Sequence, residues 1–112
     1  MHAFQVTTFG AEPKLTDLPD PAPGPGEVLL EIAACGLNFA DLLMAKGTYQ
    51  DTPQPPFTLG MEVCGTVVGH GPDVQAPAIG TRVAVFGGQG GLAQKGVFPA
   101  ALCRPVPETM AD

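Results

Sequence analysis

Positive charge is scarce in this chain: 5 Lys and Arg stand against 11 Asp and Glu among 112 residues, giving a formal net charge of -6 and a pI near 4.6. Phosphate backbones are gripped chiefly through Lys and Arg, so nucleic acid is excluded as a partner. Long apolar runs are missing as well. No stretch approaches the ~20 residues a membrane span requires, and the N-terminus lacks the cationic start and apolar run of a signal peptide. A cytoplasmic location is the default expectation. Histidine is limited to His2 and His70, and cysteine to Cys35, Cys64 and Cys103, an odd number without a C-x-x-C pair. Buried, reduced thiols are expected, because a free cysteine packs as a small hydrophobe and a reducing compartment keeps it so. No local signature pairs any of the three with a histidine as a nucleophile.

What the chain does have is glycine (15), proline (13) and 45% hydrophobic residues, a globular and turn-rich composition. The length suits one domain with a modest core and leaves no room for a second. Phe4, Val6 and Thr8 alternate with Gln5 and Thr7, which predicts a half-buried strand ending at Gly10. A short strand follows near Leu15 to Leu18. Prolines 19, 21, 23 and 25 then enforce a stiff turn segment that no helix can occupy. Strands are further predicted over Glu27 to Ala34 (Val28, Leu30, Ile32 and Ala34 on one face), Val63 to Val68, Arg82 to Phe86, Leu92 to Phe98 and a short piece around Cys103. A turn is expected at Gly69-His70-Gly71-Pro72, and a proline loop over Asp51 to Pro56. The one good helical candidate is Phe39 to Lys46, stopped by Gly47 with a cation in its last turn. Short strands at turn-separated intervals point to an all-β sandwich or barrel.

Two local motifs carry separate messages. Gly88-Gln89-Gly90-Gly91-Leu92-Ala93 matches G-x-G-x-x-A in form, yet Gly96 and Pro99 deny it the helix that must receive a pyrophosphate. A glycine-rich hairpin is the better reading, and the chain has no nucleotide-binding half of its own. At the C-terminus, Thr109 to Asp112 forms an [ST]-x-x-[DE] capping box that announces a helix. The chain stops there, so it is expected to be the front part of a longer protein.

The run Ala33-Ala34-Cys35-Gly36-Leu37-Asn38-Phe39-Ala40-Asp41-Leu42-Leu43, followed by Leu59-Gly60-Met61-Glu62, resembles the catalytic-domain signature of the medium-chain dehydrogenase/reductase superfamily. Phe9-Gly10, Pro23-Gly24-Pro25-Gly26-Glu27-Val28, Gly47-Thr48-Tyr49, Gly80-Thr81-Arg82-Val83 and Gly91-Leu92-Ala93-Gln94 are similar to further landmarks in the same order. The zinc branch holds its metal with a cysteine and a histidine where this chain has Asn38 and Met61, and an amide and a thioether are poor zinc ligands. The four-cysteine lobe of that branch is absent after Val83. The resemblance is therefore to the zinc-independent quinone oxidoreductases related to zeta-crystallin. Two departures are Thr81, where the family usually has Asp, and Leu92-Ala93-Gln94, where it usually has Tyr-Ala-Glu.

That resemblance implies a mainly β fold over residues 1-112, a GroES-like, partly open β-barrel with one short helix, which lines a cleft opposite a Rossmann domain absent here. It implies hydride transfer from NADPH, or less often NADH, to a quinone or other conjugated carbonyl, without zinc, in a homodimeric full-length enzyme. Enoyl-thioester reduction and a stand-alone binding or oligomerisation module are the competing functions. Without a metal, the developing oxyanion needs hydrogen-bond donors, and Asn38 and Tyr49 can donate. Asn38 also suits a helix N-cap, a role compatible with a cleft contact. Tyr49, the only tyrosine, fits either core packing or the cleft. Asp41 reads as a first-turn charge or structural acceptor, with a proton-donor role as the alternative. Asn38 and Phe39 are the expected contacts to the cofactor. Glu62 reads as a buried, paired carboxylate and Met61 as a packing residue.

Overall fold

In a computed structural model, which describes residues 1–110, the chain is mainly β, with one α-helix and two antiparallel sheets. The C-terminal capping box reaches Asp112 and so lies in part outside the described residues. The smaller sheet has strand order β2 (Lys14–Asp17), β1 (His2–Val6) and β4 (Phe57–Thr58). The larger has order β7 (Lys95–Pro99), β3 (Glu27–Gly36), β5 (Glu62–His70), β6 (Arg82–Phe86) and β8 (Arg104–Pro105). The two sheets do not close into a barrel.

Alternation explains the larger sheet. Val28 and Leu30 on β3, Val63 and Val67 on β5, and Val83 and Val85 on β6 turn inward to one core with Phe98 and Cys103. Beyond Leu30 the expected face of β3 is interrupted: Ile32 is half-buried and Ala34 exposed, because the register against β5 shifts between Leu29 and Leu30 and again between Ile32 and Ala34. The Phe98 ring is walled by glycine. A Cβ on Gly87 or Gly96 would come within 2.6 or 2.7 Å of it, which accounts for glycine at these two positions. A second core cluster, Val6, Met44, Phe57, Leu59 and Met61, lies beneath the helix.

Three strand expectations need correction. β1 spans His2–Val6, and its inward residues are Ala3, Gln5 and Val6, while Phe4 is 36% exposed. The phase is reversed at Phe4 because Gln5 finds a partner inside, its Nε2 donating to Thr58 Oγ1 at 3.3 Å. β5 continues to His70, and the turn begins after it. β7 starts at Lys95 rather than Leu92, since the backbone of 92–94 bonds elsewhere: Leu92 N–H to Leu59 O, Phe4 N–H to Leu92 O and Gln94 N–H to His2 O. Phe57–Thr58, which follows the proline loop and carries no strand expectation, is a short strand paired with Gln5 and Val6.

The helix α1 (Phe39–Lys46) has the expected bounds. Asn38 precedes it in extended conformation (φ -127°, ψ 152°), and Gly47 ends it at φ 79°. Thr48 N–H bonds to Leu43 O and Gly47 N–H to Met44 O, the Schellman pattern that satisfies the last carbonyls. No helix among the described residues is long and apolar enough to cross a membrane.

Candidate active site

The Asn38 end of α1 is built by a buried carboxylate. Asp41 is 6% exposed; its Oδ2 accepts the Asn38 N–H at 2.9 Å and its Oδ1 accepts the Gly60 N–H at 3.2 Å. The Asp41 N–H in turn bonds to Asn38 O at 3.0 Å. Gly60 is thereby tied to the start of the helix, and the next residue is Met61. Gly60 has φ 106°, and a Cβ there would collide with Leu92 N, so only glycine fits.

Around this tie the 58–61 turn is stitched on every side. Gly90 N–H donates to Thr58 O, Leu92 N–H to Leu59 O, Gly91 N–H to Gly60 O, and Gly87 and Gly88 N–H both to Met61 O at 2.9 and 3.1 Å. The glycine-rich run that resembles a phosphate loop is thus engaged with the turn that carries Met61. It leads into β7 without an intervening helix.

Asn38 is half-buried, and its Nδ2 is the one buried side-chain nitrogen or oxygen among the described residues without a hydrogen-bond partner. Phe39 beside it is 74% exposed. Tyr49 is half-buried, packs against the Met61 cluster and lines a 210 Å³ cleft with Asp51, Pro53, Met61, Phe86 and Gln89. Met61 is 4% exposed and packs as expected. Asn38 does not line that cleft; the two halves of the predicted site meet through the Gly60–Met61 turn. A larger hollow of 590 Å³ crosses the outer face of the big sheet over Ala34, Cys64 and Ala84, and it shares Phe86 with the Tyr49 cleft.

Glu62 corrects an expectation: it is exposed rather than buried, because it opens a strand whose inward phase begins at Val63. Its side chain lies over Gly36, where a Cβ would come within 2.9 Å of its Cδ. The sequence marks Cys35 only as a buried thiol, yet it is half-buried, as is Cys64, and it sits beside the site. Burial pushes its thiol above the usual range, and the charges of Asp41 and Glu62 push it further. Phe86 and Gln89, which wall the cleft, escape sequence reasoning; each is a single residue at the end of a strand or in a glycine turn, where no pattern marks it. Among the described residues, no three His, Cys, Asp or Glu side chains gather as metal ligands would.

An open pair of sheets, one capped helix and a glycine-stitched turn beneath it define the class of a GroES-like dehydrogenase domain. The alcohol dehydrogenase GroES-like domain family matches residues 24–108, and the chain belongs to it, within the quinone oxidoreductase-like part of the medium-chain dehydrogenase/reductase superfamily. It is 42% identical to the rat synaptic vesicle membrane protein VAT-1 homolog over 98% of this chain and 28% of that protein. It is 48% identical to mouse quinone oxidoreductase-like protein 2 over 54% of this chain and 17% of that protein. The quinone oxidoreductase of Thermus thermophilus, whose structure was solved with its NADPH complex, superposes with a TM-score of 0.84 at 40% identity, covering 99% of this chain and 34% of the other. The chain therefore spans about a third or less of these proteins.

Proposed function

We propose that residues 1–112 form the substrate-side domain of a zinc-independent NAD(P)H:quinone oxidoreductase, with Asn38 and Tyr49 as its polar contacts to the reacting carbonyl. The single observation that carries this reading is the Asn38 Nδ2 atom, a buried donor with no acceptor in the fold. A buried polar group left unpaired is costly, so an amide held this way suits an oxygen brought by a ligand. Asn38 occupies the position that holds a metal-binding cysteine in the zinc branch, which is where a carbonyl oxygen is polarised. The second position, Met61, is packed in the core and offers only a thioether. This supports electrostatic stabilisation by hydrogen-bond donors in place of a Lewis acid.

The dinucleotide, when bound, supplies the hydride. The glycine-rich run 87–91 leads into a strand, and the helix α1 follows β3 without a glycine-rich turn, which supports assigning the pyrophosphate cradle to a further domain. Asn38 and the exposed Phe39 are the residues of this chain suited to border the nicotinamide. In this chain's share of the chemistry, Asn38 Nδ2 donates to the carbonyl oxygen as negative charge develops, the Tyr49 hydroxyl offers a second donor from the cleft, and Phe86 and Met61 supply apolar walls for a planar conjugated ring. The full-length form is proposed to be a cytoplasmic homodimer.

The test is steady-state kinetics of Asn38→Ala and Tyr49→Phe in the full-length protein. A donor used only in the transition state lowers kcat and kcat/KM together, by up to about 100- to 1,000-fold. Wild-type turnover in both variants would remove these residues from the mechanism.

A further inference from the structure

We infer that Asp41 is the positioning residue of this site: by holding the Asn38 N–H on one carboxylate oxygen and the Gly60 N–H on the other, it fixes the direction in which the free Asn38 amide points. The inference rests on the proposed function for its catalytic consequence, but the tie itself stands on the geometry. Residues 38 and 60 are brought together by one side chain, which reaches Gly60 across 19 residues of sequence. That side chain is buried, on a helix whose neighbouring inward positions, Ala40, Met44 and Ala45, are apolar. An apolar residue at 41 would fill the same space without a desolvation cost, but it would leave two backbone donors without their acceptors.

The two hydrogen bonds also require a carboxylate in particular. An amide offers one accepting oxygen and turns a donor toward the second N–H, so Asn in this place can serve Asn38 or Gly60 but not both. The partner turn cannot compensate by moving. Thr58, Leu59, Gly60 and Met61 are each bonded through their carbonyls to the 87–92 loop, and a Cβ on Gly60 would strike that loop. The turn is the fixed anvil, the first turn of α1 is the adjustable part, and Asp41 sets their separation. The Asn38 side chain faces the Asp41 N–H in a capping box, so residue 41 orients it from backbone and carboxylate alike, while its Nδ2 keeps no partner. A misplacement of about 1 Å at a reacting group can lower turnover by about 100-fold, so the position of this helix turn bears directly on catalysis. Asp41 touches neither substrate nor cofactor in this account and acts through Asn38.

Two measurements on Asp41→Asn decide it. In the 112-residue chain, amide hydrogen exchange followed by NMR should show the Asn38 or the Gly60 N–H losing protection by about 10-fold or more, while amides of the large-sheet core, such as Val67 and Val83, keep theirs. Unchanged exchange at both amides overturns the tie. In the full-length protein, Asp41→Asn should lower kcat by about 10- to 100-fold with KM little changed, and should add no further loss in an Asn38→Ala background. Losses that multiply in the double variant, or wild-type turnover in Asp41→Asn, overturn the positioning role and leave Asp41 purely structural. If Asp41→Asn melts below the assay temperature, Asp41→Glu replaces it: it keeps both acceptors on a longer arm, so it should retain amide protection and lose turnover only when Asn38 is present. Wild-type turnover in Asn38→Ala alone overturns the functional reading, and with it the catalytic consequence of Asp41, whatever the exchange experiment gives.

Discussion

At the scale of single residues, the chain separates groups that hold the fold from groups kept free. Asp41 is committed twice to backbone and Met61 to the core, whereas the amide nitrogen of Asn38 is committed to nothing. Sequence reasoning reaches Asn38 through the resemblance, at the position of the zinc branch's cysteine, and as an N-cap just ahead of Phe39; it reaches Asp41 as a charge in the first turn. It cannot reach the bond from Asp41 to Gly60, because that contact depends on tertiary folding across two sheets. Glu62 defeats the expectation of burial for a related reason: its neighbour Val63 is buried, and strand phase, which turns alternate residues outward, extends back by one position to expose it. Cys35 offers a pH test at this scale. Its thiol is pushed up first by burial and then by Asp41 and Glu62, so the folded state prefers the protonated form. The stabilisation this contributes is complete below the thiol's unfolded value and is lost as pH rises through the raised folded one. Alkylation of Cys35 by iodoacetamide at about pH 8.5 should therefore be slower than in the urea-unfolded chain. Replacing Glu62 by Gln should speed it, with the gain shrinking at high salt because Glu62 is exposed. Equal rates folded and unfolded would refute the assignment.

At the scale of elements, period-2 patterns locate the central strands, and capping signals locate α1, within a residue or two; they fail at edges and junctions. β4 has two residues and sits behind a proline cluster, too short to show a period. Residues 92–94 carry strand-like side chains but lend their backbone to β1, the 58–61 turn and β3, so the strand proper begins at Lys95. The glycines of 87–91 are legible as a hairpin; that Gly87 makes room for Phe98 and that the run stitches the turn beneath the site is not, because glycine carries no side-chain pattern. Phe98→Ala should destabilise the chain by about 3–5 kcal/mol by chemical denaturation, the cost of removing a fully buried aromatic ring. Gly60→Ala combines a left-handed backbone with a collision against Leu92 N and should cost on the order of 3 kcal/mol. A loss under about 0.5 kcal/mol, the range of ordinary surface substitutions, would mean that the turn is free to shift and is no fixed frame for the site.

At the scale of the whole molecule, the chain has two cores, an open pair of sheets and one polar site at the helix start. The fold class is legible because turn-separated short strands and family landmarks agree. The openness of the barrel is legible only through the resemblance, since strand patterns say nothing of closure. The chain matches about a third or less of its relatives' length, and among the described residues its glycine-rich run leads into a strand rather than a helix. NADPH fluorescence titrated with the 112-residue chain alone should accordingly show no saturable change; micromolar binding would contradict the division of labour proposed here. Metal analysis of the full-length protein should find no stoichiometric zinc retained through chelator treatment, because amide and thioether stand at the two ligand positions. The most direct test of the account is the initial rate of NADPH oxidation by a quinone in chelator-treated full-length protein, wild type against Asn38→Ala. The account predicts that the wild type keeps its rate under the chelator and that the variant, shown by melting to be folded at the assay temperature, loses about 100-fold or more. A wild-type rate abolished by the chelator, or a variant as fast as the wild type, would contradict it.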